Sequence, residues 1–163
     1  MLDSNQPPYA LTLEEYEAVG ALAEVIIPSG DDPSVEPGAN EVGVKSFFDS
    51  TFYEMPESQQ TRIRGALGLI EAMSRDMFDG RRFRDLSFAE RDRVLKDMLS
   101  KGDSKQLFVE LRAICVSGFY SDYRDPGYAG MGAWEWMDYG GKRITGIKKD
   151  WSFLRVYLKD ADR

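Results

Sequence analysis

Two pairs of neighbouring carboxylates, Asp31 with Asp32 and Asp122 with Asp125, are the groups here that could divide acid and base roles between them. Acids side by side can push each other's pKa values apart, one holding a proton while the other stays ionised. Both pairs lie in glycine-bearing stretches, where acidic side chains are ordinarily just solvated, so a carboxylate-based enzyme is the weaker reading. Cys115 is the single cysteine. A reactive thiolate needs electropositive, partly exposed surroundings, and Cys115 has only Arg112 near it in an otherwise apolar run, so it reads as an inert small hydrophobe. The sequence has no histidine. That removes the commonest metal ligand and the side chain best suited to proton transfer near neutral pH, and excludes Ser-His-Asp, Cys-His and zinc-hydrolase sites. Asp31, Asp32, Glu36 and Glu41 lack the alternating register around a glycine that calcium requires. No catalytic, cofactor-binding or metal residue is therefore assigned in this chain.

The totals describe one domain of 163 residues, 42% hydrophobic and 30% charged, with a net charge of −7. That charge argues against nucleic acid and anionic membrane surfaces, which are held by clustered Lys and Arg. No apolar run approaches the roughly 20 residues that span a bilayer. The first residues, MLDSNQPPYALT, have neither a basic nor an apolar leader region, so no signal peptide is expected in the sequence as written.

The periodicities predict an all-α fold of about five helices in a compact bundle. Residues 1–10 form an arm, 11–141 the helical domain and 142–163 a C-terminal extension. Thr12 to Glu15 fits a capping box, followed by Leu13, Tyr16, Val19, Ala23 and Ile26 on one face and stopped by Pro28. The long acidic loop from Pro28 to Gly43 reads as solvated or lying along a partner. Val44, Phe47, Phe48 and Phe52 mark a short second helix. Pro56 suits the start of a third, striped by Ile63, Leu67, Ile70, Met73 and Met77, with Arg62, Arg64, Arg75 and Asp76 outward. Gly80 ends it, and the basic link Arg81–Arg84 is expected to be solvated. Ser87 to Glu90 is a second capping box, leading through Val94, Leu95, Met98 and Leu99 to Gly102 as a C′ glycine. Ser104 is placed to cap a fifth helix, Lys105 to Val116, with Leu107, Phe108, Leu111, Ile114 and Cys115 inward. Asp150 could cap a last turn or two carrying Trp151, Leu154, Tyr157 and Leu158.

Ser117–Gly141 fits no regular element. It holds seven aromatics (Phe119, Tyr120, Tyr123, Tyr128, Trp134, Trp136, Tyr139) among six glycines. Large rings on irregular backbone must press against something, either the chain's own helices, for which Phe119 and Trp134 are the first candidates, or another protein.

Three pieces taken in order resemble the gluconate 2-dehydrogenase subunit 3 family. The first is Leu11-Thr12-Leu13-Glu14-Glu15 leading to Ala23–Pro28 and the acidic loop. The second is Glu41-Val42-Gly43-Val44 running to Asp49. The third is Gly118-Phe119-Tyr120-Ser121-Asp122, followed by Gly130-Met131-Gly132-Ala133-Trp134 and Tyr139-Gly140. The resemblance implies a non-catalytic small subunit of a heteromeric FAD-dependent sugar or polyol dehydrogenase. It implies no cofactor in this chain, FAD in a catalytic partner of the glucose-methanol-choline type, and haem where a c-type cytochrome takes the electrons onward. It further implies a role in maturation, stability and export of the catalytic subunit. Periplasmic residence is expected from the family, and cytoplasmic residence otherwise, since no twin-arginine signal precedes Leu11. The partner interface is expected at Tyr120, Tyr123, Tyr128, Trp136, Tyr139, Trp151 and Tyr157. As an obligate interface it should exceed about 2,000 Å² in total, with Tyr128, Trp136, Tyr139 and Trp151 as anchors. The alternative is a free-standing helical interaction or regulatory domain.

Overall fold

A computed structural model describes residues 8–121 and 128–139. The helices are α1 (Leu13–Ile26), α2 (Val44–Glu54), α3 (Glu57–Met77), α4 (Phe88–Ser100), α5 (Gly102–Tyr120) and a single turn, α6 (Ala133–Trp136); a 3-10 turn, Phe83–Asp85, precedes α4. The fold is all-α. Helix α1 packs against each of α2 to α5 and the 3-10 turn, so it is the shared wall of the bundle. Its inward residues are small or aliphatic: Ala18, Val19, Gly20, Ala21, Leu22 and Ala23 are all buried. Phe48, Phe52, Phe83, Leu22, Ile70, Met98 and Leu111 fill the centre with almost no exposure.

Both capping boxes form. Thr12 Oγ1 accepts the Glu15 amide while Glu15 Oε2 accepts the Thr12 amide, at 3.2 and 2.8 Å, and Ser87 and Glu90 do the same at the start of α4. Leu13 departs from expectation. It occupies the first turn, points away from the bundle and is 61% exposed. Gly43 precedes α2 at φ 82°, a left-handed backbone that a side chain would strain.

The junction between the fourth and fifth helices also differs from the sequence reading. Gly102 opens α5, and Lys101 is at once the C-cap of α4 and the N-cap of α5. Ser104 Oγ donates to the carbonyls of Met98 and Lys101, at 2.7 and 2.9 Å, so it ties the end of α4 to the start of α5. At its other end α5 runs past Val116 to Tyr120. Gly118 permits this. A Cβ there would sit 2.8 Å from the Phe47 ring, so the close crossing of α2 and α5 needs a residue without one.

The basic link is not simply solvated. Phe83 is completely buried, and three flanking arginines pair with other elements: Arg81 with Glu90, Arg82 with Glu14 and Arg84 with Glu17. Arg64 pairs with Glu15 at 3.1 Å and Arg91 with Glu24 at 2.6 Å. All four glutamates of α1 are thus met by arginines from α3, the link or α4.

Asp49, on α2, is 3% exposed. Its Oδ2 accepts the Tyr9 amide at 2.6 Å, and its Oδ1 accepts those of Ala10 and Leu11 at 3.1 and 2.9 Å. Three donors replace the water that a buried carboxylate gives up. Replacing Asp49 by Ala strands those amides and should lower the unfolding free energy by about 3 kcal/mol in urea titrations. Asp49→Asn keeps Oδ1 and should lose less. The Glu90 carboxyl is held down at about 2, first by the Arg81 guanidinium and then by the amide and hydroxyl of Ser87. Its ordinary value is 4.5, so this stabilisation is present above that pH and drains away as the pH falls towards 2. Glu90→Gln should lower the urea midpoint at pH 7. The difference from the parent protein should shrink on acidification and with added salt, because the pair is exposed.

Candidate partner surface

The acidic loop is built, not slack. Its base is locked into the bundle: Ala39 and Val42 are buried, and the Ala39 amide donates to the Ile27 carbonyl at 2.9 Å. Its tip folds on itself, the Gly30 amide donating to Glu36 O at 2.9 Å and the Val35 and Glu36 amides to Asp32 O. Asp32 Oδ1 accepts both the hydroxyl and the amide of Ser34, at 2.6 and 3.0 Å. Those bonds, the hydroxyl's first, draw the Asp32 carboxyl below its usual range. A general acid needs the opposite shift, so Asp32 is not suited to that role. Asp122 and Asp125 lie outside the described residues.

The tip meets the aromatic segment. Tyr128 donates its hydroxyl to the carbonyls of Pro33 and Met131, at 3.1 and 3.0 Å, and the Met131 amide donates to Ser34 O at 2.9 Å. Beyond this link the chain turns through α6, with Ala133 completely buried. Trp134 Nε1 donates to the Tyr120 carbonyl at the end of α5, at 2.6 Å. The Phe119 ring packs edge-on against Trp136 at 6.3 Å between centroids, and Trp134 against Tyr139 at 5.4 Å. Buried Phe119 roots the cluster in the core, as the sequence suggests. Trp134 is half-buried.

The expected interface residues therefore separate. Tyr120, Trp136 and Tyr139 gather at one end of the bundle and are 56%, 51% and 60% exposed. Tyr128 is half-buried and holds the acidic loop by its hydroxyl. Tyr123, Trp151 and Tyr157 lie outside the described residues. The sequence reading treated the loop and the aromatic segment as two features; the hydrogen bonds that make them one surface leave no periodic signal.

Elsewhere, a groove of about 250 Å³ between α1, α3 and the basic link is lined by Arg64, Arg75, Arg82 and Arg84 together with Glu14 and Glu15. Most of this charge is consumed in the ion pairs already described. Among the described residues no cluster of three or more His, Cys, Asp or Glu side chains could hold a metal ion, and no helix is long and apolar enough to cross a membrane. Burial pushes the Cys115 thiol up to about 12. Native protein at pH 8 should therefore resist a thiol-reactive disulfide reagent that titrates one equivalent in urea.

The model of one protein family, gluconate 2-dehydrogenase subunit 3, matches residues 13–141. No curated protein and no solved structure matches the chain. The match takes in α1, the acidic loop, the bundle and the aromatic segment, and the chain belongs to the gluconate 2-dehydrogenase subunit 3 family.

Proposed function

We propose that this chain is the non-catalytic small subunit of a heteromeric dehydrogenase. It pairs with an FAD-binding catalytic subunit of the glucose-methanol-choline type that oxidises a sugar or polyol, and supports that subunit's maturation and stability. A c-type cytochrome completes the electron path in this reading, with haem as its cofactor. The pair works in the periplasm, the small subunit accompanying its partner across the membrane.

Membership of the family supports the subunit role. The observation that carries the reading is the exposed group of Tyr120, Trp136 and Tyr139, each more than half open to solvent on a surface held in place by buried Phe119 and Ala133. Large rings displayed from a packed base are the usual make-up of an interface centre. The free-standing interaction domain has no observation that favours it over this reading.

Co-expression with the catalytic subunit, followed by size-exclusion chromatography and a flavin absorbance reading, tests the proposal. The two chains should elute together with flavin in the shared peak. Trp136→Ala should weaken association by about tenfold or more, as loss of a central aromatic anchor does. A stable small subunit that never associates with the large one would refute the reading.

A further inference from the structure

The chain distributes its charge unevenly. No Lys or Arg occurs before Lys45, and none occurs between residues 128 and 139. Four glutamates of α1 fall in that first stretch, and each is met by an arginine reaching from another element: Glu14 by Arg82, Glu15 by Arg64, Glu17 by Arg84 and Glu24 by Arg91. Among the described residues the acidic loop receives no such treatment. Asp31, Asp32 and Glu36 are exposed and form no ion pair with any Lys or Arg among the described residues. Asp32 is nonetheless kept ionised by Ser34. The Tyr128 hydroxyl on Pro33 O and the Met131 amide on Ser34 O pin the loop's tip to the stretch that carries the exposed Trp136 and Tyr139.

We infer that this composite surface docks a basic patch of the catalytic subunit, whose Lys and Arg side chains pair with Asp31, Asp32 and Glu36 and lie over the exposed Trp136 and Tyr139 rings. The inference rests on the small-subunit reading and adds the chemistry of the contact. Indole is the preferred face for a guanidinium or ammonium group, so rings and carboxylates here select the same kind of side chain. Charges at the border of an interface act mainly on the rate of encounter and on its salt dependence. An acidic border beside an aromatic centre is the arrangement that draws a cationic surface in and then holds it.

The test uses the full chain and the purified catalytic subunit. Association is followed at low and at high sodium chloride for the parent protein and for Asp31→Asn/Asp32→Asn/Glu36→Gln, with circular dichroism to check folding. The Asn at 32 retains the oxygen that Ser34 donates to, and the single variants Asp31→Asn and Glu36→Gln serve if the triple variant does not fold. The triple variant should associate about tenfold more slowly at low salt and converge with the parent at high salt. Carbodiimide treatment of the parent complex, which joins carboxylates to neighbouring amines, should link the loop to lysines of the catalytic subunit.

Three results would overturn the inference. If the triple variant associates at the parental rate and salt dependence while Trp136→Ala weakens the complex, the small subunit reading stands and the basic contact does not. If the loop is linked only to this chain's own Lys142, Lys148 or Lys149, its own basic C-terminal residues occupy the surface. If the parent chain never associates, the small-subunit reading fails and this inference with it.

Discussion

A carboxylate sealed from solvent between α2 and the entering chain decides how this bundle is assembled. Asp49 accepts the amides of three consecutive residues, Tyr9 to Leu11, and so fixes the direction from which the backbone arrives at Thr12. The α1 capping box follows directly, and the helix lies as the common wall against which the others pack. An isolated charge in the interior is costly. Three amide donors with few other partners make the position tolerable, and they leave the carboxylate little freedom to settle elsewhere. A methyl group at residue 49 would offer no acceptors to the amides of Tyr9, Ala10 and Leu11.

The surface of the bundle is stitched in a matching way. Arginines from α3, the basic link and α4 reach across to the glutamates of α1. Exposed pairs of this kind contribute little each. Their pattern has more to say than their strength, because it separates the acids that serve cohesion from those that do not.

Much of the fold was legible. The Ser, Thr and Glu residues of two capping boxes and the apolar stripes of α3 and α4 announce themselves locally, since their partners lie within one or two helical turns. Leu13, by contrast, shares the spacing of buried residues yet sits in a first turn with nothing packed over it, and periodicity cannot see where a bundle stops. Gly102 misled for a related reason. Glycine is common just past a helix end, but at 102 it starts a helix, while Gly118, counted in an irregular segment, makes room for the Phe47 ring within α5, and only the neighbouring element tells such roles apart. Asp49 is hardest to read, since a lone acid on an amphipathic helix looks like part of its solvated face. The family pieces become physical in retrospect: Gly43 takes the left-handed turn into α2, Asp49 receives the arm, and Gly118 admits the ring.

The Tyr128 hydroxyl joins the acidic loop to residues 128–139, two stretches that are distant in sequence. Because that joint lies within one chain, the freedom of Pro33 and Tyr128 is surrendered in folding and not in any later association. In the small-subunit reading, a partner would meet a finished relief at this joint instead of two loose strings. On that reading, cutting the joint would show up less in the shape of a complex than in how briefly it lasted.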